Sequence, residues 1–306
     1  MKQVNWGVGE AKVSAVAMGC MRLERLSPKE AADHIQTAVE LGINFFDHAD
    51  IYGGGNCETV FAQALAQTSL RREDLWIQSK CAIVPGAMYD FSKEHILASV
   101  DGILKRLNTE YLDSLLLHRP DALAEPEEVA EAFDILESSG KVRHFGVSNH
   151  TPSQILLLET CVEQPIEANQ LQFGLGHTSI LRSGMECNMD TPGAVHRDGE
   201  ILNFCRINGI TMQTWSPFQY GMFRGTFLDN PDFPELNKCL AELAEEYGVS
   251  KTTIAAAWIL RHPAGMQLIS GTMSPERLKD ICKAADITLT RHQWYRLYLA
   301  AGNQLP

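Results

Sequence analysis

Short apolar segments alternate with amphipathic helical segments along almost the whole of this 306-residue chain. Eight of the apolar segments have the length and composition of buried strands, and a helical pattern follows each of them. They cover residues 13–18, 43–46, 75–79, 111–117, 142–147, 166–171, 210–215 and 266–270. This alternation implies parallel strands joined by right-handed crossovers, and eight such units favour a closed (β/α)8 barrel over an open sheet.

The same pattern argues for one α/β domain over residues 1–306, with an extra C-terminal helix at about 291–301. An open nucleotide-binding sheet would be expected to carry G-x-G-x-x-G after an early strand, but Gly53, Gly54 and Gly55 here stand in a row. Two loops, 173–195 and 218–234, are longer than a crossover needs. We expect them on the C-terminal face of the barrel, where they would shape the substrate site.

Composition excludes several classes of partner. The formal net charge of -12 argues against binding to nucleic acid or to an anionic membrane by bulk attraction. No apolar stretch is long enough for a transmembrane helix, and the first residues do not resemble a secretory signal. The eight cysteines are scattered and form no C-x-x-C pair, which predicts reduced thiols in a cytoplasmic protein. The oligomeric state does not follow from the sequence.

Four ionisable residues stand at or just after the ends of three consecutive predicted strands. Asp47, Lys80 and His118 each end one strand, and Tyr52 follows Asp47 by five residues. Neighbouring strands lie about 4.8 Å apart, and the C-terminal ends of parallel strands share one face of a barrel. We therefore expect these four side chains to converge there.

The four residue types suit proton transfer at a carbonyl group. Reduction of a carbonyl leaves an oxygen that needs a proton, and the hydroxyl of Tyr52 can supply it although its ordinary pKa is about 10. An adjacent ammonium lowers that pKa, so Lys80 would tune Tyr52 while Asp47 holds the lysine. His118 would orient the carbonyl oxygen.

Taken singly, each residue has an ordinary structural explanation. A lysine at a strand end is usually a surface residue, and an aspartate there commonly caps the next helix. A lone histidine is more often structural than catalytic. Four such residues at matched strand ends are poorly explained by coincidence, whereas His48 and Asp50 are interpreted as polar groups of the loop.

Several segments, in the expected order and over nearly the whole chain, resemble motifs of the aldo-keto reductase family. The segment around Asp47 and Tyr52 resembles the motif that contains the family's catalytic aspartate and tyrosine, and the pattern of residues 47–50 and 117–121 is most like the bacterial YdhF-like branch. The other matching segments are 79–80, 117–120, 140–149, 169–170, 215–217, 270–272 and 276–278.

This resemblance implies a (β/α)8 fold and the reduction of aldehydes or ketones, small-molecule substrates, with NADPH in preference to NADH. It implies that Asp47, Tyr52, Lys80 and His118 form the catalytic tetrad. It assigns Ser148, Asn149 and Gln170 to the nicotinamide carboxamide and the ring of Trp215 to stacking on the nicotinamide. It also implies cofactor contacts from Gly19, Cys20, Met21 and Asp47.

The resemblance further implies where the cofactor phosphates would bind. Residues Ser216, Pro217, Phe218 and Gly221 would pass near the pyrophosphate, and Gly271, Thr272 and Met273 lead to a helix N-terminus that favours phosphate. Arg277 would reach the 2′-phosphate of NADPH, and Asp280 is placed beside the cofactor as well. Some family members carry lysine where this chain has Gly271, so the 2′-phosphate would depend mainly on Arg277.

Two other functions are compatible with parts of the sequence. A non-catalytic subunit that senses the NADP redox state is possible because a fold does not determine a function. A metal-dependent barrel hydrolase would use His48, Asp50 and His118, but the chain has no H-x-H pair at a strand end. We expect no metal, and the sequence does not name the physiological substrate.

Overall fold

The computed structural model describes residues 1–9, 11–187, 189, 192–195, 199–221 and 224–303. The strands of this part are β1 (Gln3–Asn5), β2 (Lys12–Ser14), β3 (Val16–Gly19), β4 (Phe45–Asp47), β5 (Trp76–Cys81), β6 (Ile83–Val84), β7 (Met88–Tyr89), β8 (Leu112–Leu117), β9 (Val142–Ser148), β10 (Ile166–Gln172), β11 (Thr211–Trp215) and β12 (Gln267–Ser270). Its helices are α1 (Pro28–Glu40), α2 (Asn56–Leu65), α3 (Lys93–Leu107), α4 (Pro126–Ser138), α5 (Pro152–Leu158), α6 (Ser179–Met185), α7 (Ile201–Ile207), α8 (Pro234–Tyr247), α9 (Lys251–Leu260), α10 (Pro275–Lys283) and α11 (Arg291–Ala300).

Eight parallel strands close into a barrel, and this confirms the predicted fold. Their order around the barrel is β3, β4, β5, β8, β9, β10, β11, β12 and back to β3. The strand residues are buried on both faces, as in β8, where every residue is buried. This double burial explains why the strands read as continuous apolar runs rather than as alternating patterns.

The first helix shows how the sequence sets the element boundaries. Ser27 accepts a hydrogen bond from the backbone N–H of Glu30, and the carboxylate of Glu30 accepts one from the backbone N–H of Ser27. Pro28 occupies the first helical position, where its missing N–H costs nothing. Gly42 lies just after the helix with φ +84°, a conformation that glycine adopts without strain. Ser27 and Glu30 therefore form a capping box that fixes the start of α1.

A short hairpin of β1 and β2 closes the bottom of the barrel. Trp6, in the turn between them, is fully buried, packs on Phe45 and Trp76, and donates from Nε1 to Glu167 Oε2 at 2.9 Å. The prediction of a single first strand over residues 13–18 is therefore too simple. The backbone N–H of Ala15 still bonds to the backbone oxygen of Lys2, just before the first strand of the hairpin. The chain enters the barrel only after this residue, as β3.

Other features differ from the sequence-based expectation or extend it. The hairpin of β6 and β7 after β5 and the helix α6 within the loop 173–195 are additions that the apolar pattern did not indicate. All eight cysteines are free thiols, and six of them are buried, as predicted. Within the described ranges no helix is long and apolar enough to cross a membrane.

Candidate active site

The four residues predicted to act together meet at the C-terminal ends of β4, β5 and β8. Lys80 Nζ donates hydrogen bonds to Asp47 Oδ2 at 2.8 Å, to Tyr52 Oη at 3.1 Å and to the backbone oxygen of His48 at 2.8 Å. The ring of His118 stands edge-on to that of Tyr52, with 6.1 Å between centroids. Lys80 is 0% exposed and Asp47 is 2% exposed, so this is an ion pair shielded from water.

Three glycines position Tyr52 above the lysine. Gly53, Gly54 and Gly55 have φ values of +57°, +62° and +91°, which other residues adopt only with strain. A Cβ at Gly53 would lie 2.0 Å from the Glu24 carboxylate. The run that did not fit a dinucleotide-binding motif therefore turns the chain sharply from Tyr52 into α2.

The pKa of Tyr52 is raised above its ordinary value, and this corrects the expectation that Lys80 would lower it overall. Burial is the largest effect and raises the pKa, while the attraction of Lys80 acts in the predicted direction but is smaller. For Lys80, burial alone would lower the pKa, but Asp47 and Tyr52 together outweigh it and raise the value. At neutral pH the site therefore holds a protonated phenol beside an ammonium.

His118 is neutral in this environment. Burial lowers the pKa of its imidazole well below the ordinary value, and the positive charges of Lys80 and Arg119 lower it further. The ring lines the cavity described below, while its Nδ1 is buried without a hydrogen-bond partner in the described part of the chain. A neutral imidazole has one N–H to donate, which suits a group that orients a carbonyl oxygen.

A ladder of glutamine side chains fills the barrel interior beneath Asp47, and the sequence analysis did not anticipate it. Gln267 Nε2 donates to the backbone oxygen of Ser14 at 2.8 Å, and Gln213 Nε2 donates to Gln267 Oε1 at 2.8 Å. Gln213 Oε1 then accepts from Gln78 at 2.8 Å and from Gln170 at 3.0 Å. We call Gln78, Gln170, Gln213 and Gln267 the glutamine ladder.

The ladder has one direction, because a backbone carbonyl can only accept. The amides of Gln78 and Gln170 end it by donating to Asp47 Oδ1 at 2.7 and 3.0 Å. Asp47 Oδ1 thus receives two amide N–H groups, while Lys80 Nζ lies 2.8 Å from both carboxylate oxygens. The sequence has a glutamine inside each of four apolar strands. A buried amide without a hydrogen-bond partner would be costly, so this pattern could have indicated that the glutamines bond to one another.

The orientation of Gln170 determines what it can offer a ligand. Its N–H groups are used by Asp47 and Gln213, whereas its Oε1 receives no hydrogen bond from the described residues and the side chain lines the cavity. Gln170 therefore presents an acceptor. Beside it, Ser148 Oγ donates to the Gln170 backbone oxygen at 2.9 Å, and Asn149 Nδ2 donates to Ser148 Oγ at 2.8 Å.

The indole of Trp215 is held by the same group of residues. Its Nε1 donates to Asn149 Oδ1 at 3.1 Å, and the half-buried ring lines the cavity at the end of β11. Ser216 follows with φ +45°, an unusual value for a residue other than glycine. The chain therefore turns abruptly after Trp215, whose side chain lines the cavity.

A cavity of about 1110 Å³ opens at this face of the barrel. It is lined by most of the residues that the sequence analysis assigned to the site, namely Gly19, Met21, Asp47, Tyr52, His118, Ser148, Asn149, Gln170, Trp215, Ser216, Pro217, Phe218, Gly271, Thr272, Met273 and Arg277. Lys80 is buried behind Asp47 and Tyr52. The cavity is large enough for an extended cofactor, since typical ligand pockets measure about 300–1,000 Å³.

Three predicted cofactor residues do not line the cavity. Cys20 is fully buried, with its Sγ 3.7 Å from the backbone oxygen of Met18. Gly221 is described but stands apart from the lining, and Asp280 forms an ion pair with Lys283 at 2.8 Å. On the helix of Asp280 it is Ile281, the next residue, that reaches the cavity.

Among the described residues of the two long loops, those that line the cavity belong to 218–234 and are Phe218, Gln219, Thr226, Leu228 and Asp229. The described residues of 173–195 do not line it. Gly174 packs against the Pro217 backbone so closely that a Cβ there would lie 2.2 Å from its oxygen. The first loop therefore packs against the backbone immediately before the second loop.

One end of the cavity is rich in arginine. Arg22 and Arg25 line it together with Arg277, and the sequence analysis had identified only the last. The available signal was a pair of cations three and six residues after the end of β3. Ser270 Oγ and Gln219 Oε1, both in the lining, are buried without hydrogen-bond partners in the described structure. This lining suits a ligand that is anionic and polar.

The residues proposed for a metal-dependent hydrolase are arranged differently. His48 is fully buried, its ring stands edge-on to Phe61 at 4.6 Å between centroids, and burial lowers its pKa to about 3. Burial and the nearby Glu58 raise the pKa of Asp50 to about 7. Within the described ranges, no group of three His, Cys, Asp or Glu side chains could hold a metal ion.

This chain is similar to known proteins over nearly its whole length. The sequence pattern described as the Aldo/keto reductase family matches residues 15–298. Oxidoreductase YdhF of Escherichia coli is 35% identical over 96% of this chain and 95% of its own, and a 6-dehydroglucose reductase of Novosphingobium aromaticivorans is 34% identical over 96% and 94%. The crystal structure of the thermostable aldo-keto reductase Tm1743 with the inhibitor epalrestat superimposes with a TM-score of 0.79 at 26% identity, covering 98% of this chain and 100% of that one.

Proposed function

The chain belongs to the aldo/keto reductase family, and we propose that it reduces aldehydes or ketones to alcohols with NADPH, using Tyr52 as the general acid. One observation carries the proposal. The hydroxyl of Tyr52 lies at the cavity wall, 3.1 Å from a buried ammonium that Asp47 holds in place. This arrangement can give a proton and stabilise the anion left behind.

The residues of the cavity fit NADPH. Trp215 offers a ring face for the nicotinamide, and Gln170 offers an oxygen to the amide N–H of its carboxamide. The arginine-rich end offers positive charge to phosphates in a protein whose net charge is -12. We therefore assign Ser148, Asn149, Gln170 and Trp215 to the nicotinamide half, as the family resemblance implies.

When bound, NADPH would supply the hydride that reduces the carbonyl carbon. The neutral imidazole of His118 donates a hydrogen bond to the carbonyl oxygen and orients it toward Tyr52. As charge develops on that oxygen, Tyr52 transfers its proton to it, and the new phenolate is stabilised by Lys80. Asp47 and the glutamine ladder keep the lysine in position, and solvent returns the proton to Tyr52.

The raised pKa of Tyr52 supports an acid role in reduction. A phenol with a pKa above its ordinary value is protonated throughout the neutral range, so the acid form is always present. Burial keeps the proton on the tyrosine before reaction, and the adjacent ammonium limits the cost of losing it. The two opposing effects therefore serve different stages of one proton transfer.

A panel of carbonyl compounds assayed with NADPH and NADH in parallel tests the proposal. It should include aromatic aldehydes, ketones and, because one relative is named a 6-dehydroglucose reductase, aldehydes of oxidised sugars. We expect oxidation of NADPH that depends on the carbonyl. Binding of NADPH without turnover on any member would favour the redox-sensing subunit, and absence of both would reject the assignment.

A further inference from the structure

The guanidinium of Arg22 occupies the space in which a side chain at position 271 would begin. Its Nη1 donates to the Gly271 backbone oxygen at 3.1 Å. A Cβ built on Gly271 would lie 3.1 Å from the same Nη1, with no other described atom within 4 Å. Arg22 thus crosses from the loop after β3 to the end of β12 and is held there by a residue without a side chain.

Arg22 forms no ion pair with the residues that the structure describes. The arginines that form ion pairs among the described residues are Arg71, Arg72, Arg106, Arg143, Arg182 and Arg296. Arg22 is half-buried, lines the cavity, and has the Gly271 oxygen as its only described hydrogen-bond partner. A partly desolvated cation without a carboxylate is costly unless a ligand completes its contacts.

The neighbouring helix N-terminus offers less to an anion than the sequence suggested. In α10 the backbone N–H of Arg277 is already bonded to Ser274 Oγ, and the first helical residue, Pro275, has no N–H. Arg277 itself is exposed. The half-buried guanidinium of Arg22 is therefore the best-placed donor at this end of the cavity, because its position is set by the contact with Gly271.

We propose that Arg22 binds a phosphate group of the cofactor and supplies, from the other side of the cavity, the positive charge that position 271 lacks. The inference rests on the proposed NADPH-dependent function and adds a binding residue to it. A guanidinium can donate two parallel hydrogen bonds to a phosphate, so the contact would contribute affinity and orientation together. The phosphate is either the 2′-phosphate or the pyrophosphate, and the experiment separates them.

The test is calorimetric binding of NADP⁺, NAD⁺ and adenosine 2′,5′-bisphosphate to the wild type and to Arg22→Met, without turnover. We expect about tenfold weaker binding of NADP⁺ to Arg22→Met, typical of a lost charge-assisted hydrogen bond. Loss confined to NADP⁺ and the bisphosphate assigns Arg22 to the 2′-phosphate. Equal loss for NADP⁺ and NAD⁺ assigns it to the pyrophosphate.

Arg206→Met is the charge control, because it removes one positive charge at an exposed position that does not line the cavity. A loss as large as that of Arg22→Met would show an effect of overall charge and overturn the proposal. Unchanged binding in Arg22→Met would overturn it directly. A wild type that binds neither dinucleotide would instead refute the proposed function, and this inference would fail with it.

Gly271→Ala supplies a second test that leaves Arg22 in the chain. The added methyl would lie 3.1 Å from Nη1 and make the guanidinium shift by a few tenths of an ångström, so NADP⁺ binding should weaken in the wild-type background. In the Arg22→Met background the same substitution should have no effect, since the atom it presses on is gone. Equal effects of Gly271→Ala in both backgrounds would contradict the proposed contact.

Discussion

The buried ion pair of Lys80 and Asp47 allows stability and catalysis to be separated by a double-mutant cycle. Lys80→Met would leave the carboxylate of Asp47, 2% exposed, with only the amides of Gln78 and Gln170. Asp47→Asn would leave a fully buried ammonium with neutral acceptors and no negative charge beside it, namely Tyr52, one backbone oxygen and the new amide oxygen. Stranding one charge of a buried pair costs about 3–5 kcal/mol.

The double variant Asp47→Asn/Lys80→Met removes both charges and should cost far less than the sum. We expect its free energy of unfolding to lie within about 2 kcal/mol of wild type, because a buried pair can often be replaced by neutral groups at little cost. The loss of about 3–5 kcal/mol in each single variant would be easy to detect, because the total free energy of unfolding of such a domain is only about 5–15 kcal/mol. All three variants should nevertheless lose carbonyl reduction.

Urea unfolding followed by circular dichroism measures these free energies. The matched control is Lys141→Met, which breaks a pair with Asp101 whose side chains are 40% and 60% exposed and should cost less than about 1 kcal/mol. Single variants of Lys80 and Asp47 that cost no more than this control would refute the reasoning. So would costs that add within about 0.5 kcal/mol in the double variant.

Three further predictions concern groups around the tetrad. The pKa of Asp50 is raised to about 7 in the folded protein, so the unfolded chain loses this proton first as pH rises and the wild type loses stability. Asp50→Asn should therefore become more stable relative to wild type between about pH 4 and 7, by at most about 1.4 kcal/mol per pH unit. A difference in the free energy of unfolding by urea that stays constant across this range would contradict this. Gln213→Met interrupts the glutamine ladder, and we expect the free energy of unfolding to fall by about 1–3 kcal/mol and kcat to fall as well. Met212→Leu is the control for core packing. An unchanged kcat in Gln213→Met would show that the ladder does not position Asp47. Trp215→Leu should weaken NADPH binding by roughly two- to tenfold in a fluorescence titration, whereas Trp215→Phe should retain most of the wild-type affinity. Equal affinities of the leucine and phenylalanine variants for NADPH would exclude stacking on the ring.

The barrel and the convergence of the four side chains could be predicted because both depend on local patterns. Apolar runs that end in an ionisable residue mark the strand ends, and the parallel topology then brings Asp47, Lys80 and His118 together. The net direction of the Tyr52 pKa could not be predicted in this way. It depends on how deeply the ring is buried relative to its distance from Lys80, and only the folded structure supplies both quantities.

The glutamine ladder and Arg22 show two other limits of sequence reasoning. A glutamine in an apolar strand is visible, but its partner lies on a strand more than 40 residues away, as for Gln213 with Gln267 and Gln170. Arg22 resembles an ordinary surface arginine until the folded chain brings Gly271 beside it. Both features depend on long-range contacts, and the residues themselves carry no local motif.

The most direct test of the proposed acid is the single-turnover rate of Tyr52→Phe with NADPH and a carbonyl that the wild type reduces. Removing the hydroxyl leaves the ring, the cavity and the Lys80–Asp47 pair, so NADPH should bind with wild-type affinity in a parallel titration. We predict that the rate of hydride transfer falls at least 100-fold, within the range that acid catalysis contributes. A variant that binds NADPH normally and turns over at the wild-type rate would contradict the assignment of Tyr52 as the proton donor.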